Sequence, residues 1–198
     1  MEHTLHVVDK ELDALAAQVR ELAGETEALL NNALAAALDG KDDLVDSVVQ
    51  GDQALDQLTS SIEKASIRLI ALRQPRADDL RRPVAAMKIA LNLERCGDLA
   101  KNIAKRGRVL WRLNPEGLET GAVRRLAEKV AGALSALRAA YDANDVEGVL
   151  SVWRGDADVD ALHQAASRQL LEMMTSSPDK VESGMHLLFV AKNLERIG

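Results

Sequence analysis

The sequence has very few aromatic residues and only one cysteine. Phe, Trp and Tyr together make up 2% of its 198 residues, whereas hydrophobic residues, mainly Ala, Leu and Val, make up 47%. β-Sandwiches and barrels need more aromatic and β-branched residues, while Ala and Leu let helices pack closely. The single cysteine, Cys96, excludes an internal disulfide and a cysteine-based zinc site. The composition therefore predicts an all-α protein.

The sequence also lacks a long apolar run and an excess of positive charge. No stretch reaches the roughly 18 uncharged apolar residues of a membrane-spanning helix. Acids and a lysine precede the first apolar run, so we expect no signal peptide and no membrane insertion. A formal net charge of −6 argues against nucleic acid as the main partner. We therefore expect a cytoplasmic protein.

Helix-breaking residues are rare, and they divide the chain into six segments. A residue that precedes proline is pushed out of the α region, so each X-Pro pair marks a helix boundary. Between the breaks, apolar residues recur at helical spacing, as at Leu55, Leu58 and Ile62. The pattern predicts six long antiparallel helices packed as bundles. The breaks are Asp39-Gly40, Gln74-Pro75, Asn114-Pro115, Ala143-Asn144 and Ser177-Pro178.

Two blocks of sequence occur twice, in the same order. SVVQGDQALDQL at 47–58 and SVWRGDADVDAL at 151–162 share Ser, Val, Gly, both Asp and the final Leu. ALNLERCG at 90–97 and AKNLERIG at 191–198 differ only at their second and seventh residues. Because repeated blocks indicate a repeated unit, we predict two tandem three-helix bundles, residues 1–113 and 114–198.

Both repeats carry carboxylates four residues apart. Such pairs share one helical face, where like charges are destabilising by a few tenths of a kcal/mol. Two interpretations stay open. The acids form a solvated face near cations such as Lys101 and Lys105, or they bind a hard cation, which prefers oxygen ligands. The acidic residues are Asp52, Asp56, Glu94 and Asp98 in the first half, and Asp156, Asp160 and Glu195 in the second.

The block NLERCGDLAKNIA at 92–104, with its partial copy at 193–198, closely resembles the signature helix of the PhoU family. The resemblance covers the whole chain. It implies a non-enzymatic regulator of phosphate uptake that binds the phosphate ABC-transporter ATPase and the phosphate sensor histidine kinase. It also implies surface clusters of iron, zinc or manganese/magnesium. Asp52, Asp56, Glu94 and Asp98 would bind one cluster, and Asp156, Asp160 and Glu195 the other.

The second predicted metal site departs from the family pattern. The pattern needs Asp directly after Gly198, where the sequence stops, so the last helix looks truncated and the site lacks one ligand. His163, three residues after Asp160, is a weaker candidate for that place. One alternative is a metal-free helical adapter, and another is an iron-handling bundle. The sequence contains no Glu-x-x-His, which argues against the iron-handling bundle. The sequence also has no nucleophile–base pair and no phosphate-binding glycine loop, so we expect no enzyme.

Several other residues have structural interpretations. Glycine in mid-helix costs about 1 kcal/mol relative to alanine, so Gly97 suggests either that another helix approaches closely, which we favour, or that a metal cluster needs room. We expect Trp111 and Trp153 to pack at bundle ends rather than to mark partner surfaces. The Ala-rich exposed helices are expected to support a homodimer. The sequence also has a cluster of basic residues, which we expect to lie in a solvated loop between helices rather than to bind phosphate. Its members are Arg73, Arg76, Arg81 and Arg82.

Overall fold

The computed structural model describes residues 2–75, 78–113 and 117–198. These residues form seven α-helices and a short 3-10 turn, Pro178–Lys180, and contain no strand, which confirms the all-α prediction. None of the helices in these ranges combines the length and the apolar content that a membrane span requires. The helices are α1 (Glu2–Asp39), α2 (Asp43–Arg73), α3 (Asp78–Arg112), α4 (Gly121–Ala143), α5 (Val146–Arg154), α6 (Asp156–Ser176) and α7 (Val181–Ile197).

Three predicted breaks coincide with backbone in the left-handed region. Gly40 follows α1 with φ +71°, Gln74 follows α2 with φ 48°, and Asn144 follows α4 with φ 52°. Glycine and asparagine adopt this conformation at low cost, and it is the usual way for a helix to end. The break at Asn114-Pro115 lies outside the described residues.

The fifth predicted segment is helical but interrupted at Gly155, which separates α5 from α6. Its counterpart Gly51 lies within the continuous helix α2, where a Cβ atom would come within 2.5 Å of the Leu29 side chain. The two glycines therefore differ in packing. No residue of α5 is buried, so little tertiary contact offsets the helix-weakening effect of Gly155.

Helices α1, α2 and α3 form the first bundle, and small residues bring α1 and α3 close together. A Cβ atom on Gly107 of α3 would lie 2.3 Å from the Cα atom of Ala37 of α1. Fully buried branched side chains, such as Leu22, Ile62 and Ile103, fill the remaining space. The bundle therefore combines a close glycine–alanine contact with aliphatic packing.

Helices α4 to α7 form the second bundle, and its core is continuous with the first. Leu126, Val130 and Leu194 belong to the same buried cluster as Leu22 and Ile62. The halves meet where α3 packs on α7 and α1 packs on α4. Two three-helix bundles are confirmed, with α5 and α6 together taking the place of one helix. The boundary between residues 113 and 114 stays a prediction.

The two tryptophans have different environments. The indole Nε1 of Trp111 donates a hydrogen bond of 3.0 Å to the carbonyl oxygen of Ala37, and its ring covers Gly40. This contact confirms that Trp111 packs at a bundle end. Trp153 is 73% exposed on α5, together with Val146 at 70%. The expectation that Trp153 packs in the same way is wrong, because α5 buries none of its residues.

Candidate acidic cluster on helices α2 and α3

Four of the predicted site residues face one another across the antiparallel helices α2 and α3. Asp52 and Asp56 lie on α2, and Glu94 and Asp98 lie on α3. The pKa of Glu94 is raised, mainly by partial burial and then by the negative charges of Asp98, Asp56 and Asp52, with Arg95 opposing the shift. The four carboxylates therefore share one electrostatic environment, which we call the acidic cluster.

Lys101 joins the two sides of the acidic cluster. Its ammonium nitrogen donates a hydrogen bond of 2.5 Å to Asp52 Oδ2 and another of 2.6 Å to Asp98 Oδ1. Burial alone would lower the pKa of Lys101, but the hydrogen bonds and charges of Asp52 and Asp98 outweigh it and raise that pKa to about 12. Lys101 is therefore a permanently charged bridge between α2 and α3.

Asp52 is buried, at 4% exposure, and Lys101 is the partner that makes this burial tolerable. An unpaired buried carboxylate would be costly, since a charge removed from water needs a counter-charge and hydrogen bonds. The remaining members of the acidic cluster are more accessible: the Asp98 side chain is 50% exposed, for example. The acidic cluster therefore runs from the edge of the core to the surface.

Gly97 allows α3 to lie against α2 at the acidic cluster. A Cβ atom on Gly97 would meet Leu55 Cδ1 at 2.5 Å and Asp52 Oδ1 at 3.7 Å. The neighbouring Cys96 is partly buried, and this burial raises the pKa of its thiol to about 11. The close approach predicted at Gly97 is confirmed, and its contacts are with side chains of the core and of the acidic cluster.

The three predicted ligands of the second half are not arranged in the same way. Asp156 and Asp160 are exposed on α6. Glu195 on α7 accepts a hydrogen bond of 2.6 Å from Lys192, three residues earlier on the same helix. His163 lies within 3.4 Å of the Ser167 hydroxyl rather than contributing to an acidic pair.

The side chains around Lys101 do not fit a multinuclear metal centre. Within residues 2–75, 78–113 and 117–198, no group of three or more His, Cys, Asp and Glu side chains is arranged so that it could hold a metal ion. In the first half, the ammonium group of Lys101 already contacts one carboxylate from each helix. The assignment of the seven carboxylates as metal ligands stays a prediction.

The basic residues near the loop between α2 and α3 are used in ion pairs. Arg73 makes hydrogen bonds of 2.8 and 3.1 Å to the two carboxylate oxygens of Glu11. Arg82 contacts Asp13 at 3.2 Å, and Arg81 also has an interaction partner. These contacts tie α2 and α3 to α1. Arg76 lies outside the described residues.

Sequence reasoning missed a second cationic link between α2 and α3. Arg108 contacts Asp42 Oδ1 at 2.7 Å and Asp46 Oδ1 at 2.9 Å. No motif marks Arg108, because its partners are more than 60 residues away. Lys101 had a visible signal, since its spacing of three residues from Asp98 puts both on one helical face. Its contact with Asp52 depends on the alignment of the two helices.

The comparisons with known proteins cover both halves of the chain. A family model described as the PhoU domain matches residues 19–107 and 123–198. A protein of Caulobacter vibrioides, described as a phosphate-specific transport system accessory protein PhoU homolog, is 44% identical over 197 residues. The match covers all of this chain and 86% of that protein.

Solved structures agree with the fold. The crystal structure of PhoU from Pseudomonas aeruginosa has a TM-score of 0.92 and 28% identity, covering 96% of this chain and 90% of that one. The phosphate transport system regulatory protein PhoU from Streptococcus pneumoniae has a TM-score of 0.87 and 25% identity, covering 96% and 89%. The chain therefore has the fold of proteins that are built from two copies of a three-helix bundle. The chain belongs to the PhoU family, which confirms the resemblance of its third helix.

Proposed function

We propose that this protein is a non-enzymatic, cytoplasmic regulator of phosphate-specific transport that works as an adapter. One observation carries the proposal: both halves match the PhoU domain, and the Caulobacter vibrioides relative is a phosphate-specific transport system accessory protein. The expected partners are the ATPase of the phosphate ABC transporter and the phosphate sensor histidine kinase. A homodimer is part of the same proposal.

A row of exposed apolar side chains on α7 supports a role in protein binding. Val181, Met185 and Phe189 are spaced four residues apart and are between 40% and 50% exposed. The guanidinium of Arg106 lies 4.3 Å from the centre of the Phe189 ring. Contiguous apolar surface flanked by charge is typical of protein contact sites. We call these three side chains the α7 row.

Lys101 favours the metal-free form of this adapter over a carboxylate-bound iron protein. Iron-handling bundles point several carboxylates into one core site. Here Asp52 is already neutralised by Lys101, and Asp98 shares the same ammonium group. A metal at Asp156, Asp160 and Glu195 is a separate prediction, which elemental analysis of the chain purified without chelator tests.

A capture experiment tests the adapter role. The full chain, carrying an affinity tag, is isolated from phosphate-replete and phosphate-starved cells, and the transporter ATPase and sensor kinase are quantified by mass spectrometry. We expect enrichment of both partners in phosphate-replete cells. If neither partner is enriched in either condition, the adapter proposal is wrong. Light scattering of the purified chain measures the proposed dimer.

Matched variants test the α7 row. Phe189→Ser removes its aromatic member, which is 45% exposed, and Leu171→Ser removes an apolar side chain of α6 that is 55% exposed. We expect Phe189→Ser to reduce capture of a partner and Leu171→Ser to leave it unchanged. Equal capture by both variants would remove the α7 row from the proposal. Ile62→Asp, which places a charge at a fully buried position, is the unfolded control.

A further inference from the structure

We infer that the ammonium group of Lys101 is the resident cation of the acidic cluster and takes the place that a divalent metal ion would need. Lys101 bridges one carboxylate of α2 and one of α3, the same two helices that supply the four predicted ligands.

The Lys101 nitrogen lies 2.5 Å from Asp52 and 2.6 Å from Asp98. Divalent metal ions bind carboxylate oxygens at roughly 2.0–2.6 Å, so an ion bridging the same two oxygens would overlap the ammonium group. A metal ion could bind these oxygens only after Lys101 leaves.

The side chains of Asp52 and Lys101 are 6% and 21% exposed, so both charges are partly removed from water. Opposite charges attract more strongly in such surroundings than on an open surface. An arriving metal ion must therefore replace a short, shielded ion pair rather than a hydrated carboxylate.

Four carboxylates and one ammonium group leave the cluster with an excess of negative charge, and the carboxylates of Asp56, Glu94 and Asp98 are accessible to solvent in part or in full. Without Lys101, Asp52 and Asp98 would lose the cation that they share. Oxygen ligands of this kind suit Mg²⁺ and Mn²⁺. Lys101 is therefore the side chain that keeps the first half metal-free.

Manganese titration of the full-length chain, followed by electron paramagnetic resonance of free Mn²⁺, tests the inference. We expect Lys101→Met to bind Mn²⁺ at least about tenfold more tightly than wild type, because repulsion between the metal ion and the ammonium group disappears. Adding Asp52→Asn to Lys101→Met should abolish this gain. Lys105→Met, which removes an exposed lysine one turn further along α3, is the matched control for net charge.

Two results would overturn the inference. One is stoichiometric Mn²⁺ binding by wild type that is lost in Asp98→Asn. The other is a folded Lys101→Met variant whose affinity equals that of wild type and of Lys105→Met. Circular dichroism establishes that each variant is helical. If Lys101→Met does not fold, Lys101→Gln, which also lacks the ammonium group, takes its place in the titration.

Discussion

The contact between Gly107 and Ala37 gives the sharpest prediction of stability. Replacing Gly107 by alanine adds a Cβ atom that would lie 2.3 Å from Ala37 Cα and 2.8 Å from Ala37 Cβ. Ordinary carbon–carbon contacts are about 3.5–4.0 Å, so α1 and α3 would have to separate by more than 1 Å. The obstacle is backbone and a short side chain, neither of which can rotate away.

Two opposing terms set the size of the effect. Glycine-to-alanine replacement within a helix gains about 1 kcal/mol from helix propensity. Overpacking of a core typically costs about 1–3 kcal/mol, occasionally more, and contact with backbone belongs at the upper end. We therefore expect Gly107→Ala to lower the free energy of unfolding by about 2 kcal/mol. For a chain of this size, that corresponds to a fall in Tm of about 4–8 °C.

Gly24 and Gly132 are matched controls, because an added Cβ atom at either position meets nothing within 4 Å. Both lie within helices, so alanine there should raise the free energy of unfolding by about 0.5–1 kcal/mol. Urea denaturation followed by circular dichroism at a helical wavelength measures all three variants. Equal stability of Gly107→Ala and Gly24→Ala would contradict the close packing of α1 on α3.

Three further predictions concern single side chains. Trp111→Phe should lower the free energy of unfolding by about 1–2 kcal/mol through loss of a hydrogen bond. Trp153→Phe should change it by less than about 0.5 kcal/mol. Equal shifts in the calorimetric Tm of the two variants would contradict this difference. Burial raises the pKa of Cys96 to about 11. Iodoacetamide should therefore modify Cys96 slowly in the native protein at neutral pH and rapidly in denaturant. Equal rates in the two conditions would refute its burial. Arg73 lowers the pKa of Glu11, chiefly by hydrogen bonding. Arg73→Met should therefore raise the pKa of Glu11 in an NMR titration. It should also remove the stabilisation that the ion pair gives above the ordinary glutamate pKa and that fades as pH falls. An unchanged pKa would mean that the ion pair does not form in solution.

The sequence was sufficient to predict much of the acidic cluster. Spacing of four residues places Asp52 with Asp56 and Glu94 with Asp98, and antiparallel packing of neighbouring helices brings the two pairs together. The bridge from Lys101 to Asp52 was beyond sequence reasoning. It depends on the alignment of α2 and α3, which the contact of Gly97 with Leu55 helps to set.

The interruption at Gly155 illustrates a different limit. Gly51 and Gly155 occupy matching places in nearly the same local sequence, so local rules assign them the same structure. The difference comes from packing, because α2 buries residues such as Val48 whereas α5 buries none. The exposure of Trp153 has the same cause. Tertiary burial, rather than helix propensity, decides both.

The shared core has a consequence for how the duplicated halves behave. Because α3 packs on α7 and α1 packs on α4, neither half can lose its helices without uncovering apolar surface of the other. Heating should therefore produce one calorimetric peak rather than two. A destabilising change at Leu194, far along the chain from Lys101, should weaken the α2–α3 pairing as well. The two halves should therefore unfold as a single cooperative unit.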